Sequence, residues 1–342
     1  MKLFQCRCGQ TIYFESHACV NCSAILGFDP AALDMRSLDA TGTGDLIDTL
    51  GQSFRMCQNG ALYGVCNWLI PAPYGHTLCF GCRFNRTIPK LSNPENVRRW
   101  ARLEMSKKRL FFTLLTLRLP LISGHRDVQH GLLLDFVEDS RTDPDRYPET
   151  FLHTGYLGGV VTINVLEADD VAREAVKVEM NETYRTVLGH LRHESGHYYW
   201  SLFAPSDEEV NRFDELFGDS QQDYAAALER YYAQGPSPDG ASRCVSAYAS
   251  SHPAEDWAES WGHYLHIYDV LETAAAHGVM HSAPEYCDVR TRIEIWGKLS
   301  ITLNELNRSI GLGDAYPFVV NPSVEEKLVY IDSVINQLRK SH

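Results

Sequence analysis

The stretch Leu191-Arg192-His193-Glu194-Ser195-Gly196-His197-Tyr198 decides how this chain folds. Apolar residues at helical spacing predict that a helix begins near Asn181, a suitable N-cap residue, and runs through the two histidines. Residues four apart share one face of a helix, so His193 and His197 can bind the same cation. Glu194 projects beside them, where it can take a proton from a water molecule that zinc has activated. The stretch therefore predicts a zinc site.

This pattern is not decisive by itself. It arises by chance in roughly a few chains per hundred of this composition, and the alternative interpretation is two surface histidines with an incidental glutamate. His190 is a rival ligand, although a pair spaced four apart with a glutamate between explains more. A catalytic zinc also needs a third protein ligand and an open fourth position, so a second motif is required.

That motif is Tyr248-Ala249-Ser250-Ser251-His252-Pro253-Ala254-Glu255-Asp256-Trp257-Ala258-Glu259-Ser260-Trp261. Pro253 suits the first turn of a helix, on which Glu255 is the predicted third ligand. Glu259 lies one turn further on the same face and is predicted to orient a ligand histidine. Tyr248 approaches on non-helical backbone and can donate its phenolic hydrogen to the oxyanion of a tetrahedral intermediate.

The motif resembles the distal motif in the protease domain of anthrax lethal factor and its bacterial relatives, where Tyr-Ala-x-x-x-Pro-Ala-Glu is followed by a second glutamate. In those peptidases the first glutamate binds zinc, and the tyrosine seven residues before it assists the intermediate. The resemblance implies these roles: ligands His193, His197 and Glu255, general base Glu194 and oxyanion donor Tyr248. The chain departs from the pattern at Asp256 and Trp257, so it stays open whether Asp256 competes as a ligand.

The whole chain also resembles bacterial zinc-binding metallopeptidases that begin with a zinc ribbon, from Cys6-x-Cys8-Gly9 to the helical segment 257–266. This resemblance implies an α+β fold, with a zincin-like metallopeptidase domain that is mostly helical with a small sheet, preceded by one or two small four-cysteine zinc-ribbon modules. The predicted domains are a zinc ribbon at 1–40, a second cysteine-rich module at 41–92 and the peptidase domain at 93–342. His263 and His266, two to three turns beyond the third ligand, are predicted to pack or form hydrogen bonds.

Eight of the ten cysteines lie within the first 82 residues. Without a secretory signal, clustered cysteines indicate metal rather than disulfides. Two pairs joined by a strand-like segment predict a first structural zinc on Cys6, Cys8, Cys19 and Cys22. A second structural zinc is predicted on Cys57, Cys66, Cys79 and Cys82. Since only the last pair has recognisable spacing, Cys57 or Cys66 can alternatively be a small buried apolar residue.

Other patterns predict how the chain is organised. Gly42 and Gly44 indicate a linker between the cysteine modules. Helical spacing begins at Asn93, and the final helix is predicted to open with a capping box at Ser323. The β-branched run from Gly159 to Val165 predicts a strand. By resemblance to zincins this is an edge strand that aligns an extended peptide, and the alternative is an ordinary core strand.

The charge distribution bears on partners. The net charge of −13 argues against non-specific nucleic-acid binding by the whole molecule. Residues 1–110 nevertheless carry +5 and residues 111–342 carry −18, and the stretch 83–109 has nine basic residues against two acidic ones. We interpret this stretch as a solvated basic face, with a docking surface for an acidic protein partner as the alternative.

The sequence shows no signal-peptide run and no apolar stretch long enough to span a bilayer, which predicts a cytoplasmic protein. Together the motifs predict a peptidase that hydrolyses a peptide or protein substrate, with one catalytic zinc and one or two structural zincs. Two alternatives remain. One is a zinc-ribbon module that binds protein or nucleic acid and carries an inactive peptidase-like domain; the other is a hydrolase of isopeptide or other amide bonds.

Overall fold

A computed structural model of the protein describes residues 1–42, 44–143, 154–179 and 184–340. The chain divides into two compact units, Met1–Val176 and Lys177–His342. The predicted N-cap Asn181 lies outside the described residues. Within the described ranges, no helix combines the length and the apolar character needed to cross a membrane.

The first unit opens with a hairpin and a five-stranded antiparallel sheet. The hairpin pairs β1 (Phe4–Gln5) with β2 (Thr11–Ile12). The sheet runs in chain order through β3 (Ile25–Asp29), β4 (Asp34–Ala40), β5 (Leu46–Asp48), β6 (Ser53–Met56) and β7 (Leu69–Pro71). Helix α1 (Gln58–Tyr63) joins the last two strands. A bridge between Phe28 and Trp68 brings the two ends of the sheet together.

The linker predicted at Gly42 and Gly44 is wrong. The Thr41 amide donates a hydrogen bond to the Asp45 carbonyl at 2.8 Å, which closes a turn between β4 and β5. Gly44 has a φ of 88°, a left-handed conformation that favours glycine. Gly44 therefore allows a tight turn between two paired strands. The domain boundary predicted at residue 40 falls between strands of the same sheet.

A second sheet of four strands completes the first unit. It contains β8 (Asn85–Thr87), β9 (Leu133–Val137), β10 (Gly155–Leu157) and β11 (Val160–Asn164), in the spatial order β10-β11-β9-β8. The predicted strand at residues 159–165 is thus β11, but its interpretation as an edge strand is wrong. It pairs with β10 on one side and with β9 on the other, so its main chain is already hydrogen-bonded.

The long helix of the first unit begins where the sequence predicts. Helix α2 (Pro94–Thr116) starts after Asn93, whose side chain accepts a hydrogen bond from the Glu95 amide. Helix α3 (Asp170–Glu179) follows the second sheet and contains the division between the units.

The second unit is built from helices. They are α4 (Val187–Leu202), α5 (Asp207–Phe217), α6 (Tyr224–Gln234), α7 (Gly240–Arg243), α8 (Pro253–Ala276), α9 (Val289–Ser309) and α10 (Pro322–Leu338). Helices α4 and α8 pack against each other over a long interface, and α5 and α10 also contact α8. Aromatic rings fill the core; Tyr199 and Trp261 stack with centroids 5.0 Å apart.

The N-cap residues of α4 and α10 differ from the predicted ones. Thr186 caps α4, because its side chain accepts a hydrogen bond from the Gly189 amide. The capping box predicted at Ser323 is wrong: Asn321 caps α10 by accepting from the Val324 amide, and proline takes the first helical position.

Candidate metal centres

Small residues inside the histidine motif allow α4 and α8 to approach closely. A Cβ atom added to Gly196 would lie 3.0 Å from the Ala258 Cα atom and 3.1 Å from the Trp261 Cβ atom. Two hydrogen bonds from indole groups stabilise this contact: Trp261 Nε1 donates to Ser195 Oγ at 3.0 Å, and Trp257 Nε1 donates to the Gly196 carbonyl at 2.9 Å. This packing brings the second motif against the first.

Three predicted ligands meet at this interface. His193 Nε2 lies 3.3 Å from His197 Nε2 and 3.0 Å from Glu255 Oε2, and His197 Nε2 lies 3.6 Å from Glu255 Oε1. A tetrahedral zinc with ligand bonds of about 2.0–2.1 Å separates its ligand atoms by about 3.3 Å. Glu255 Oε2 is also buried and accepts no hydrogen bond from the described residues. The cluster therefore fits a zinc ion.

Glu259 orients one of these histidines. Its Oε1 atom lies 2.8 Å from His193 Nδ1, and Ser246 Oγ donates to its Oε2 at 2.6 Å. Burial lowers the pKa of His193, but the carboxylates of Glu255 and Glu259 outweigh it and raise that pKa well above its usual value. Burial likewise raises the pKa of Glu259, yet His193 outweighs it and lowers the pKa to about 2. His193 thus presents Nε2 to the cluster.

The predicted base and oxyanion donor lie beside the ligands. Glu194 is buried and makes no hydrogen bond or ion pair within the part of the chain that the structure describes. Burial raises its pKa, and the two neighbouring histidines oppose this. The Tyr248 ring lies 6.0 Å from the His193 ring, in a short 3-10 turn that leads into α8. Burial and the Glu255 carboxylate raise the pKa of Tyr248.

Three further side chains near the cluster, Asp256, His263 and His266, make contacts elsewhere. Asp256 Oδ2 accepts a hydrogen bond from Lys327 Nζ at 2.5 Å, in a buried ion pair outside the cluster. His263 Nδ1 lies 2.8 Å from the Tyr316 hydroxyl, and His266 packs edge-on against the Tyr316 ring. Among the described residues, the group that could hold a metal here contains none of these three side chains, nor the rival ligand His190.

One residue of the site had no signal in the sequence. The Tyr224 hydroxyl, at the start of α6, donates to Glu255 Oε1 at 2.8 Å. Burial and the Glu255 carboxylate raise the pKa of Tyr224, while a hydrogen bond with Tyr248 lowers it in part. The contact joins two helices through space, so neither periodicity nor motif spacing could indicate it.

The cysteines form two separate groups. In the first group, Cys6 Sγ lies 3.5 Å from Cys22 Sγ, and Cys8 Sγ lies 3.7 Å from Cys19 Sγ. In the second group, Cys66 Sγ lies 3.6 Å from Cys79 Sγ, and Cys57 and Cys82 complete a fully buried set. Tetrahedral zinc with Zn–S bonds of about 2.3 Å separates sulfur atoms by about 3.8 Å. All ten thiols are free, so both groups fit a metal better than disulfides.

Buried charges surround the second cysteine group. Glu104 Oε2 lies 3.8 Å from Cys82 Sγ, and Lys107 Nζ donates to Glu104 Oε1 at 2.8 Å. Lys108 Nζ donates to the Val65 carbonyl at 2.8 Å. Burial lowers the pKa of Lys108, but the thiolate of Cys66 and the carboxylate of Glu104 outweigh it and raise that pKa. Helix α2 thus supplies two buried lysines and one buried glutamate beside the group.

The basic stretch 83–109 is largely neutralised within the first unit. Eight of its nine basic residues form ion pairs with carboxylates: Arg86, Lys90, Arg98, Arg99, Arg102, Lys107, Lys108 and Arg109. Lys107 and Lys108 are buried, so the stretch is not simply a solvated basic face. Its internal pairing also disfavours its interpretation as a docking surface.

Two cysteine groups, followed by a helix pair that gathers two histidines and a glutamate, define a zinc-binding protein of the metallopeptidase class. The chain belongs to the family described as "Putative zinc-binding metallo-peptidase", which matches residues 96–334. A zinc-ribbon domain matches residues 3–93.

Relatives of similar length occur in mycobacteria. "Uncharacterized protein Rv2568c" of Mycobacterium tuberculosis and "Uncharacterized protein Mb2598c" of Mycobacterium bovis are each 38% identical over 347 residues, covering 99% of this chain and 96% of the relative. No solved structure matches the chain. The likeness to the lethal-factor protease domain therefore rests on the motifs alone.

Proposed function

We propose that this protein is a zinc-dependent metallopeptidase that hydrolyses peptide bonds in a peptide or protein substrate. The observation that carries the proposal is the cluster of His193, His197 and Glu255, with a buried carboxylate oxygen left without a hydrogen bond. When bound there, zinc lowers the pKa of a coordinated water molecule and polarises the substrate carbonyl.

Glu194 is the proposed general base. Its position between the ligand histidines on α4 places its carboxylate beside the cluster, and burial shields it from bulk water. The Glu194 carboxylate makes no hydrogen bond or ion pair within the described part of the chain. Its oxygens can therefore accept a proton from the attacking water. The same carboxylate then passes that proton to the leaving amine.

Other residues maintain the geometry of the site. Glu259 and Ser246 fix the orientation of His193 through a chain of hydrogen bonds. Tyr248 is the proposed oxyanion donor, because its ring packs beside His193 and its hydroxyl keeps its proton at neutral pH.

We also propose one structural zinc in each cysteine group, which makes three zinc ions per chain with the catalytic one. Sulfur separations near those of a tetrahedral site support both structural ions. Free thiols kept for metal are typical of a reducing compartment, which supports a cytoplasmic location.

The test compares wild-type protein with a Glu194→Gln variant. Zinc-loaded wild-type protein should cleave members of a peptide library, and the variant should retain its zinc while losing cleavage. Cleavage that survives in Glu194→Gln would refute the mechanism. Wild-type protein that binds its full zinc complement and cleaves no peptide would favour a binding module with an inactive domain, and cleavage of isopeptide-linked substrates alone would favour the amide hydrolase.

A further inference from the structure

The two oxygens of Glu255 have different surroundings. Oε2 lies 3.0 Å from His193 Nε2 and accepts no hydrogen bond from the described residues, whereas Oε1 accepts one from the Tyr224 hydroxyl at 2.8 Å. A carboxylate with both oxygens unengaged can bind a metal through one oxygen or through both. The hydrogen bond to Oε1 removes that symmetry, because it uses one of the two lone pairs of this oxygen and makes it a poorer second ligand than Oε2.

The position of Tyr224 is itself fixed by the fold. Asp223 caps α6 by accepting a hydrogen bond from the Ala226 amide, which places Tyr224 at the first position of that helix. His252 then ties this end of α6 to α8. Its Nε2 atom lies 3.0 Å from the Gln222 carbonyl, and its Nδ1 atom accepts a hydrogen bond from the Ala254 amide at 3.0 Å.

The same histidine also supports the tyrosine ring directly. The rings of His252 and Tyr224 meet edge to face with centroids 5.0 Å apart. Because His252 is the N-cap residue of α8 and Glu255 lies in the first turn of that helix, the start of α6 is held over the carboxylate. The hydrogen bond from Tyr224 is therefore built into the packing of two helix ends.

We propose that Tyr224 is a positioning residue that holds Glu255 as a monodentate zinc ligand through Oε2. Its role is to keep the fourth position of the site open for water, which a bidentate carboxylate would crowd. This inference rests on the proposed function, since it assumes that the cluster binds zinc. It adds a residue that no motif in the sequence indicates.

The direct test is a Tyr224→Phe variant, which keeps the ring and removes only the hydroxyl. We expect its catalytic-site zinc affinity, measured by competition with a chelator, to fall by about 10–100-fold. With Co²⁺ in the site, the visible absorption should weaken, because a bidentate Glu255 raises the coordination number. Tyr286→Phe is the matched control: it removes the hydroxyl of an exposed tyrosine outside the site and should change neither measurement.

A double variant shows whether Tyr224 acts through Glu255. In a Glu255→Ala background, Tyr224→Phe should cause no further loss of zinc affinity, because its target is gone. An equal loss in both backgrounds would overturn the inference. The inference would also be overturned if Tyr224→Phe kept the wild-type zinc affinity and cobalt spectrum, even if its turnover fell. If instead the wild-type protein binds no metal at this cluster, the proposed function fails first, and that outcome is seen before any variant is made.

Discussion

Glu259 Oε1 lies 2.8 Å from His193 Nδ1, one helical turn beyond the proposed ligand Glu255. A ligand histidine usually donates its second ring N–H to a carboxylate, which fixes the ring and raises its basicity. We therefore propose separate roles for the two glutamates of α8: Glu255 binds the zinc ion, and Glu259 holds the histidine in place.

Removal of the Glu259 carboxylate should weaken the catalytic zinc site. In Glu259→Ala we expect zinc affinity to fall by about 10–100-fold, and in Glu259→Gln by less, because the amide oxygen can still accept from His193. Chelator competition measures both effects. Glu285→Ala, which removes an exposed carboxylate, is the control. Wild-type affinity in Glu259→Ala would show that this contact does not support the ligand.

A methyl group at Gly196 should separate the two site helices. The added Cβ atom would lie 3.0 Å from backbone at Ala258, so Gly196→Ala should lower the free energy of unfolding by about 1–3 kcal/mol. It should also weaken zinc binding, because α8 carries Glu255. Urea unfolding monitored by tryptophan fluorescence measures the first effect.

The control for this change is Gly297→Ala on α9. A Cβ atom there meets nothing within 4 Å, and alanine is the better helix former, so stability should rise by up to about 1 kcal/mol. If the two alanine variants behave alike, close packing at Gly196 is not what brings the motifs together.

Loss of the Tyr248 hydroxyl should affect turnover rather than metal binding. If it donates to the oxyanion, Tyr248→Phe should lower kcat by about 10²-fold or more while zinc content stays the same. Tyr231→Phe is the control, since its ring packs edge-on against Tyr248 at 5.9 Å and should keep that packing. Unchanged kcat in Tyr248→Phe would remove this tyrosine from the mechanism.

Much of the site could be predicted because its residues lie at fixed spacing on helices. Helical periodicity places His193 and His197 on one face, and the proline at position 253 marks the start of the helix that carries Glu255. Tyr224 could not be found in this way. Its contact with Glu255 depends on how two helix ends pack, which short sequence patterns do not encode.

The wrong predictions about the fold have a similar physical origin. Gly42 and Gly44 suit both a linker and a tight turn, and only strand pairing across them decides between the two. The strand β11 is rich in β-branched residues whether it lies at an edge or inside a sheet, so composition did not reveal its two neighbours. At α10, Asn321 and Ser323 are both good N-cap residues, and the proline between them decides the helix start.

The buried Lys108 yields the last prediction, which concerns the second cysteine group. Its ammonium is buried, and the Cys66 thiolate and the Glu104 carboxylate raise its pKa. Lys108→Met should therefore leave uncompensated negative charge and release zinc from this group at least about 10-fold faster. Zinc release to a chromophoric chelator measures this rate.

The neighbouring Arg109 provides the matched control. Its ion pair with Glu15 is partly exposed, and exposed pairs contribute about 0–1 kcal/mol, so Arg109→Met should release zinc at nearly the wild-type rate. The first cysteine group, which has two exposed cysteines, should release its zinc equally fast in all three proteins. If Lys108→Met matches Arg109→Met, the thiolates do not depend on α2 for charge balance. If only Lys108→Met releases this zinc faster, then α2, the first helix of the peptidase region, stabilises the zinc site of the preceding ribbon through its charge.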